Sequence, residues 1–156
     1  MTCKMPVRSF SVPSHSSYAE DFLAWSEHTV RLLRARRFEE VDLENLIEEI
    51  ESMGKSQQRE LDSRLRVLLR HLLKWKYQPE RRSTSWALTL DNQRFELDRL
   101  LRQSPSLRPV LTHSLADVYP AAVRTAALET RLPRDTFPAR CPFTARQILD
   151  PDFLPE

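Results

Sequence analysis

The chain has one glycine, Gly54, in 156 residues. Tight hairpins and bulges recruit glycine because it reaches positive φ at little cost, so a β-rich fold is excluded. The same scarcity rules out a phosphate-cradling loop and a dinucleotide fingerprint. Cysteine is almost as scarce. Cys3 and Cys141 make neither a disulfide framework nor a Cys-x-x-Cys zinc motif, and read as free thiols of a reducing compartment. No apolar run approaches a membrane span, and the N-terminus lacks the apolar centre of a signal peptide. Cytoplasmic location is the resulting expectation. Charge of one sign is also lacking: the net is +2, too little to imply nucleic acid.

What is present is Leu, Arg and Glu, the composition of helices. With 40% hydrophobic residues, the chain can form one globular domain with a core. Met1 to Ser17 is rich in Ser and Pro and reads as a mobile tail, leaving residues 18–156 as the domain. A first helix is expected over Tyr18–Ala35, capped by Ser16 or Ser17. Its buried face would be Tyr18, Phe22, Trp25, Thr29 and Leu33. A second begins after the N-cap Asp42. Leu43, Leu46, Ile47 and Ile50 form one apolar set, and Leu61, Leu65, Leu68, Leu72 and Trp75 a second. The two stay in phase across Gly54, so one long helix bent near Gly54 is favoured over two helices. Gln78-Pro79 ends it.

A third helix spans Ser83–Gln103 with Trp86, Leu90, Leu97, Leu100 and Leu101 facing the core. Leu88 and Phe95 lie on the other side, so this helix is either sandwiched, the favoured reading, or an oligomer contact. A fourth follows Ser104-Pro105-Ser106, with Leu107, Leu111, Ser114 and Val118 on one face. Pro120 is expected to kink or break it before helix resumes to about Arg131. Residues 132–156 carry five prolines and several large apolar side chains. They should lie along the helices as an extended tail, with a short helix near Thr144–Leu149. The fold class is thus all-α: a mainly antiparallel bundle of about four main helices with a proline-rich C-terminal tail.

Several phrases carry a likeness: YAEDFLAW, the long stretch from Leu43 to Trp86, SPSLRP at Ser104–Pro109, and the closing ILDPDFLPE. Together they resemble a bacterial family catalogued as domain of unknown function 29, from about Tyr18 to Glu156. The resemblance implies a small helical bacterial protein and supplies no activity and no transferable site residue.

Two constellations could carry chemistry. Glu44, Glu48 and Glu51 sit at i, i+4 and i+7 along one flank of the second helix. With His71 they could form a metal site of the kind helical bundles build. His28 and His113 would come from other helices. The Glu-x-x-His pairing of di-iron bundles is absent, and a solvated acidic flank at a helix start is the plainer reading. His71, at the seam edge, is first of all a partly buried group with one hydrogen-bonded nitrogen. The second constellation is basic: Arg59, Arg66, Arg70 and Lys74, opposite the leucine seam, then Arg81 and Arg82. Near the aromatics Trp75, Tyr77 and Trp86 they could hold a phosphate backbone, although Glu60, Asp62 and Glu80 are interleaved. The three aromatics could line a ligand pocket and more simply belong to the core. No catalytic motif is present, so no catalytic residue and no cofactor are nominated. The leading expectation is a non-enzymatic interaction or structural module, with a protein partner or self-association. Metal or small-molecule binding comes next, nucleic acid last, and membrane is not expected.

Overall fold

The computed structural model describes residues 18–156. The tail expected over Met1–Ser17 lies outside them. The described residues are helical, with no strand: α1 (Phe22–Arg34), α2 (Leu43–Tyr77), α3 (Thr84–Gln103), α4 (Leu111–Thr130) and α5 (Ala145–Leu149), joined by short 3-10 turns. The architecture is an all-α helical bundle. Contacts divide the chain into two compact units, Met1–Ser52 and Met53–Glu156. The helix α2 begins in the first and ends in the second.

In the first unit, α1 starts at Phe22, because the Asp21 carboxylate accepts the Ala24 N–H at 3.0 Å as an N-cap. The expected cap at Ser16 or Ser17 is therefore replaced by Asp21. Trp25, Thr29 and Leu32 are buried, three side chains at helical steps. Leu32 takes the place expected for Leu33, and Phe22 is 53% exposed. Tyr18 and Phe22 still pack against Trp25 as an aromatic cluster, and the Tyr18 hydroxyl donates to Glu49. Asp42 caps α2 as expected: its carboxylate accepts both the backbone N–H and the side-chain amide of Asn45. Those bonds hold the Asp42 carboxyl below its ordinary range.

One uninterrupted helix of 35 residues runs from Leu43 to Tyr77, so Gly54 does not separate two helices. Its buried residues begin only at Leu61. Leu43, Ile47 and Ile50, read as one apolar set, are 54%, 55% and 60% exposed. Periodicity identified the face correctly, but a face is buried only where another element covers it.

The second unit holds the main core. Leu61, Leu65, Leu68, Leu69, Leu72 and Leu73 of α2 are inaccessible to solvent and meet Leu90, Leu97 and Leu101 of α3 and Ala122 and Ala126 of α4. Full burial of each leucine contributes on the order of 2 kcal/mol. Ser83 caps α3, its hydroxyl accepting the Trp86 N–H, and Gln78-Pro79 closes α2. Leu88 and Phe95 are 63% and 66% exposed, so α3 is not sandwiched. The helix α4 continues through Pro120 without the expected break. Proline fixes φ near the helical value, so the helix runs on through it despite the lost hydrogen bond and the crowding of its ring against the preceding turn.

The proline-rich tail lies on this core, as expected. Phe137, Phe143 and Ile148 are buried, and α5 packs against α3 and α4. A capping box of Thr144 and Gln147 starts α5. The tail is held by Arg94 of α3, itself buried. Its guanidinium donates Nε to Ile148 O at 3.0 Å, Nη1 to Pro151 O at 3.1 Å and Nη2 to Phe153 O at 2.6 Å. Lys76 and Arg82 add bonds to the backbone of Glu156 and Pro155.

Candidate functional site

Two concave features of the second unit are bordered by groups able to do chemistry. The first is a groove of about 660 Å³ between α2, α4 and the turn that follows α4. The long helix α2 supplies Arg66, Val67 and Arg70; α4 supplies Pro120, Ala121, Arg124, Thr125 and Leu128; the turn supplies Arg134. Arg66 and Arg70 share a side of α2 because they are four residues apart, and Pro120, Arg124 and Leu128 follow the same rule on α4. No carboxylate lines this groove.

Just outside it, Glu129 pairs with Arg70 Nη1 at 3.1 Å and with Lys74 Nζ at 2.7 Å. Burial pushes the Glu129 carboxyl up, but the Lys74 hydrogen bond and the charges of Arg70, Lys74 and His71 outweigh it, leaving a net lowering. Lys74 also lies over the Trp86 ring, 4.3 Å from its centre. Arg70 Nε is shut away from solvent with no hydrogen-bond partner. Among the described residues, Arg66, Arg124 and Arg134 form no ion pair.

The second feature is a cleft of about 670 Å³ beside Tyr119, Cys141 and Phe143. The Tyr119 hydroxyl donates to Pro138 O at 2.8 Å, and burial, with Cys141 and Tyr77 adding to it, holds its pKa at about 12. Burial also pushes the Cys141 thiol up, against a smaller opposing backbone interaction at Phe143, and the thiol donates to Phe143 O. A raised pKa makes a thiol a poorer nucleophile near neutral pH.

The residues singled out in the sequence fall in different places. Arg66 and Arg70 enter the arginine-lined groove. Lys74 is buried in the Glu129 pair, and Arg82 is tied to Trp75 O and stacked on the Trp75 ring. Arg59 and Arg81 are exposed and line no cavity described above. The six cations therefore do not form one continuous track. Trp75, Tyr77 and Trp86 are half-buried. Trp75 and Tyr77 pack on the core, with Tyr77 edge-on to Phe137, and Trp86 meets the Lys74 ammonium.

Glu44, Glu48 and Glu51 stand on the exposed start of α2, whereas His71 is buried, its Nδ1 2.9 Å from Val67 O. Burial, aided by Arg70 and Lys74, lowers the His71 pKa against the Val67 bond and Glu129. Among the described residues, no three His, Cys, Asp or Glu side chains converge as metal ligands. Arg124 and Arg134 were not singled out in the sequence. Their spacing on α4 and its following turn carries no periodic signal, and only the packing of α4 against α2 places them beside Arg66.

The fold and its groove define a helical protein with a basic concavity between α2 and α4. The sequence matches the family described as Domain of unknown function DUF29 over residues 17–154, and the chain belongs to that family. No curated protein and no solved structure matches it. No helix among the described residues is long and apolar enough to cross a membrane.

Proposed function

We propose that the protein is a non-enzymatic interaction module, and that the start of α2 receives a basic amphipathic helix of a partner protein. One observation carries this reading. Leu43, Ile47 and Ile50, at steps of four and three, are each more than half exposed on one side of a helix. An apolar helix face ordinarily points into a core. Where it stays in water it is a candidate contact surface, and anchors at i, i+4 and i+7 are the spacing by which helices dock on one another.

Charge selects the partner. Residues 18–52 carry ten Asp and Glu against four Arg, and Glu44, Glu48 and Glu51 flank the apolar stripe. A second copy would bring like charges together, whereas a helix with Lys or Arg beside its apolar face would meet opposite ones. A cytoplasmic setting belongs to the same proposal, on the scarcity of cysteine.

The test uses the whole chain and two synthetic helical peptides with the same leucine face, one flanked by lysines and one by glutamates. Fluorescence anisotropy should show saturable binding of the basic peptide only, weakened by salt and lost in the Ile47→Asp, Ile50→Asp double variant. Equal binding of both peptides, or an unaffected double variant, would overturn the proposal. So would a dimer seen by sedimentation and abolished by the double variant, which would assign the stripe to a second copy.

A further inference from the structure

We infer that the groove formed by Arg66, Arg70, Arg124 and Arg134 binds a compact oligophosphate, the di- or triphosphate moiety of a small molecule. Four arginines line one concavity whose lining holds no carboxylate. Like charges gathered this way repel one another, and the repulsion is relieved when a polyanion sits among them. Glu129, outside the lining, is engaged by Arg70 and Lys74, and Arg66, Arg124 and Arg134 form no ion pair among the described residues. Arg70, one of the four, also has a buried Nε with no hydrogen-bond partner, so its guanidinium is only partly satisfied by Glu129.

The identity of the cations narrows the ligand. Arginine offers a planar fork that takes two phosphate oxygens at once, and all four positions are arginine rather than lysine. The size narrows it further. About 660 Å³ is within the range of small-molecule sites, roughly 300–1,000 Å³. A nucleic-acid strand would need the basic surface to continue beyond the groove. Arg82 is instead bound to backbone carbonyls and stacked on Trp75, and Lys74 is buried in its pair with Glu129. Val67, Pro120, Ala121 and Leu128 add apolar surface to the lining, against which an attached ring could rest.

Inorganic triphosphate, titrated calorimetrically into the full chain at low salt, should bind at one site and weaken steeply as salt rises. Arg66→Gln and Arg124→Gln, both at exposed positions that leave the core intact, should each weaken binding about tenfold or more. Arg140→Gln, an exposed arginine outside the groove, should leave it unchanged. ATP in parallel separates the two sources of this chemistry: tighter binding than triphosphate assigns a nucleotide, and equal binding assigns the oligophosphate itself. Absence of triphosphate binding, or equal loss in all three variants, would overturn the inference. Tighter binding of a single-stranded oligonucleotide through the same arginines would overturn it in favour of nucleic acid.

Discussion

Replacing Arg94 by leucine should release the C-terminal segment from the core of the second unit. The guanidinium is 5% exposed and donates three hydrogen bonds, to the carbonyls of Ile148, Pro151 and Phe153. Burial lowers its pKa, with Asp150, Asp91 and Asp152 acting against that, and among the described residues it forms no ion pair. A hydrogen bond involving a charged group contributes about 1.5–3 kcal/mol net. Three such bonds at the lower figure would give about 4.5 kcal/mol, but Pro151 and Asp152 are exposed, so water can recover part of what the freed carbonyls lose. The expected loss is therefore about 3 kcal/mol, which for a protein of this size is a fall in Tm of roughly 6–12 °C. Arg94→Lys, with one nitrogen in place of the fork, should lose about 2 kcal/mol.

Urea unfolding gives the magnitude, and hydrogen exchange gives the place. The amides of Ile148, Asp150 and Phe153, bonded within this segment, should lose more protection than amides in the middle of α3. An unchanged unfolding midpoint, or a uniform loss of protection, would refute the claim that Arg94 is what fastens the tail.

Two further outcomes follow from groups placed against their ordinary preference. His71 has a lowered pKa in the folded state, so the unfolded chain takes up a proton first as pH falls below its ordinary 6.5. Stability should decline from that point down through the folded pKa, and Glu129, also lowered, should add a further decline below its ordinary 4.5. Urea titrations of His71→Gln should lack the slope that sets in as pH falls below the ordinary 6.5; a retained slope would place the titrating group elsewhere. The single glycine lies in open space within α2, while Arg36 and Arg131 occupy left-handed conformations at φ 57° and 61°. Arg131→Gly, just past the end of α4, should raise stability by about 1 kcal/mol. Gly54→Ala should raise the helicity of α2. Circular dichroism during thermal unfolding checks both, and a lower Tm in Arg131→Gly would contradict the strain.

How much of this was legible in the sequence depended on the range of the interaction. Local chemistry was readable: Asp42 as a cap, Gln78-Pro79 as a stop, and a short helix near Thr144–Leu149 all stand where the sequence put them. The leucine seam from Leu61 to Leu72 was equally plain, because helical periodicity records which side of a helix is apolar. Periodicity does not record what lies opposite. The stripe at Leu43, Ile47 and Ile50 has the same pattern as the seam that follows it, yet one part is exposed and the other buried. The difference lies in which elements the chain folds back against α2, and α3 and α4 cover it from Leu61 onward.

The arginine-lined groove was half legible for the same reason. Arg66 and Arg70 stood out as neighbours on one helix. Arg124 and Arg134 become their neighbours only through the packing of α4. The alternating acids that argued against a basic site, Glu60, Asp62 and Glu80, line none of it. In a bundle without glycine loops or ligand motifs, charges interleaved in the sequence can be sorted in space by helix packing alone. The net charge of the whole chain is thus a poor guide to the field in any one groove.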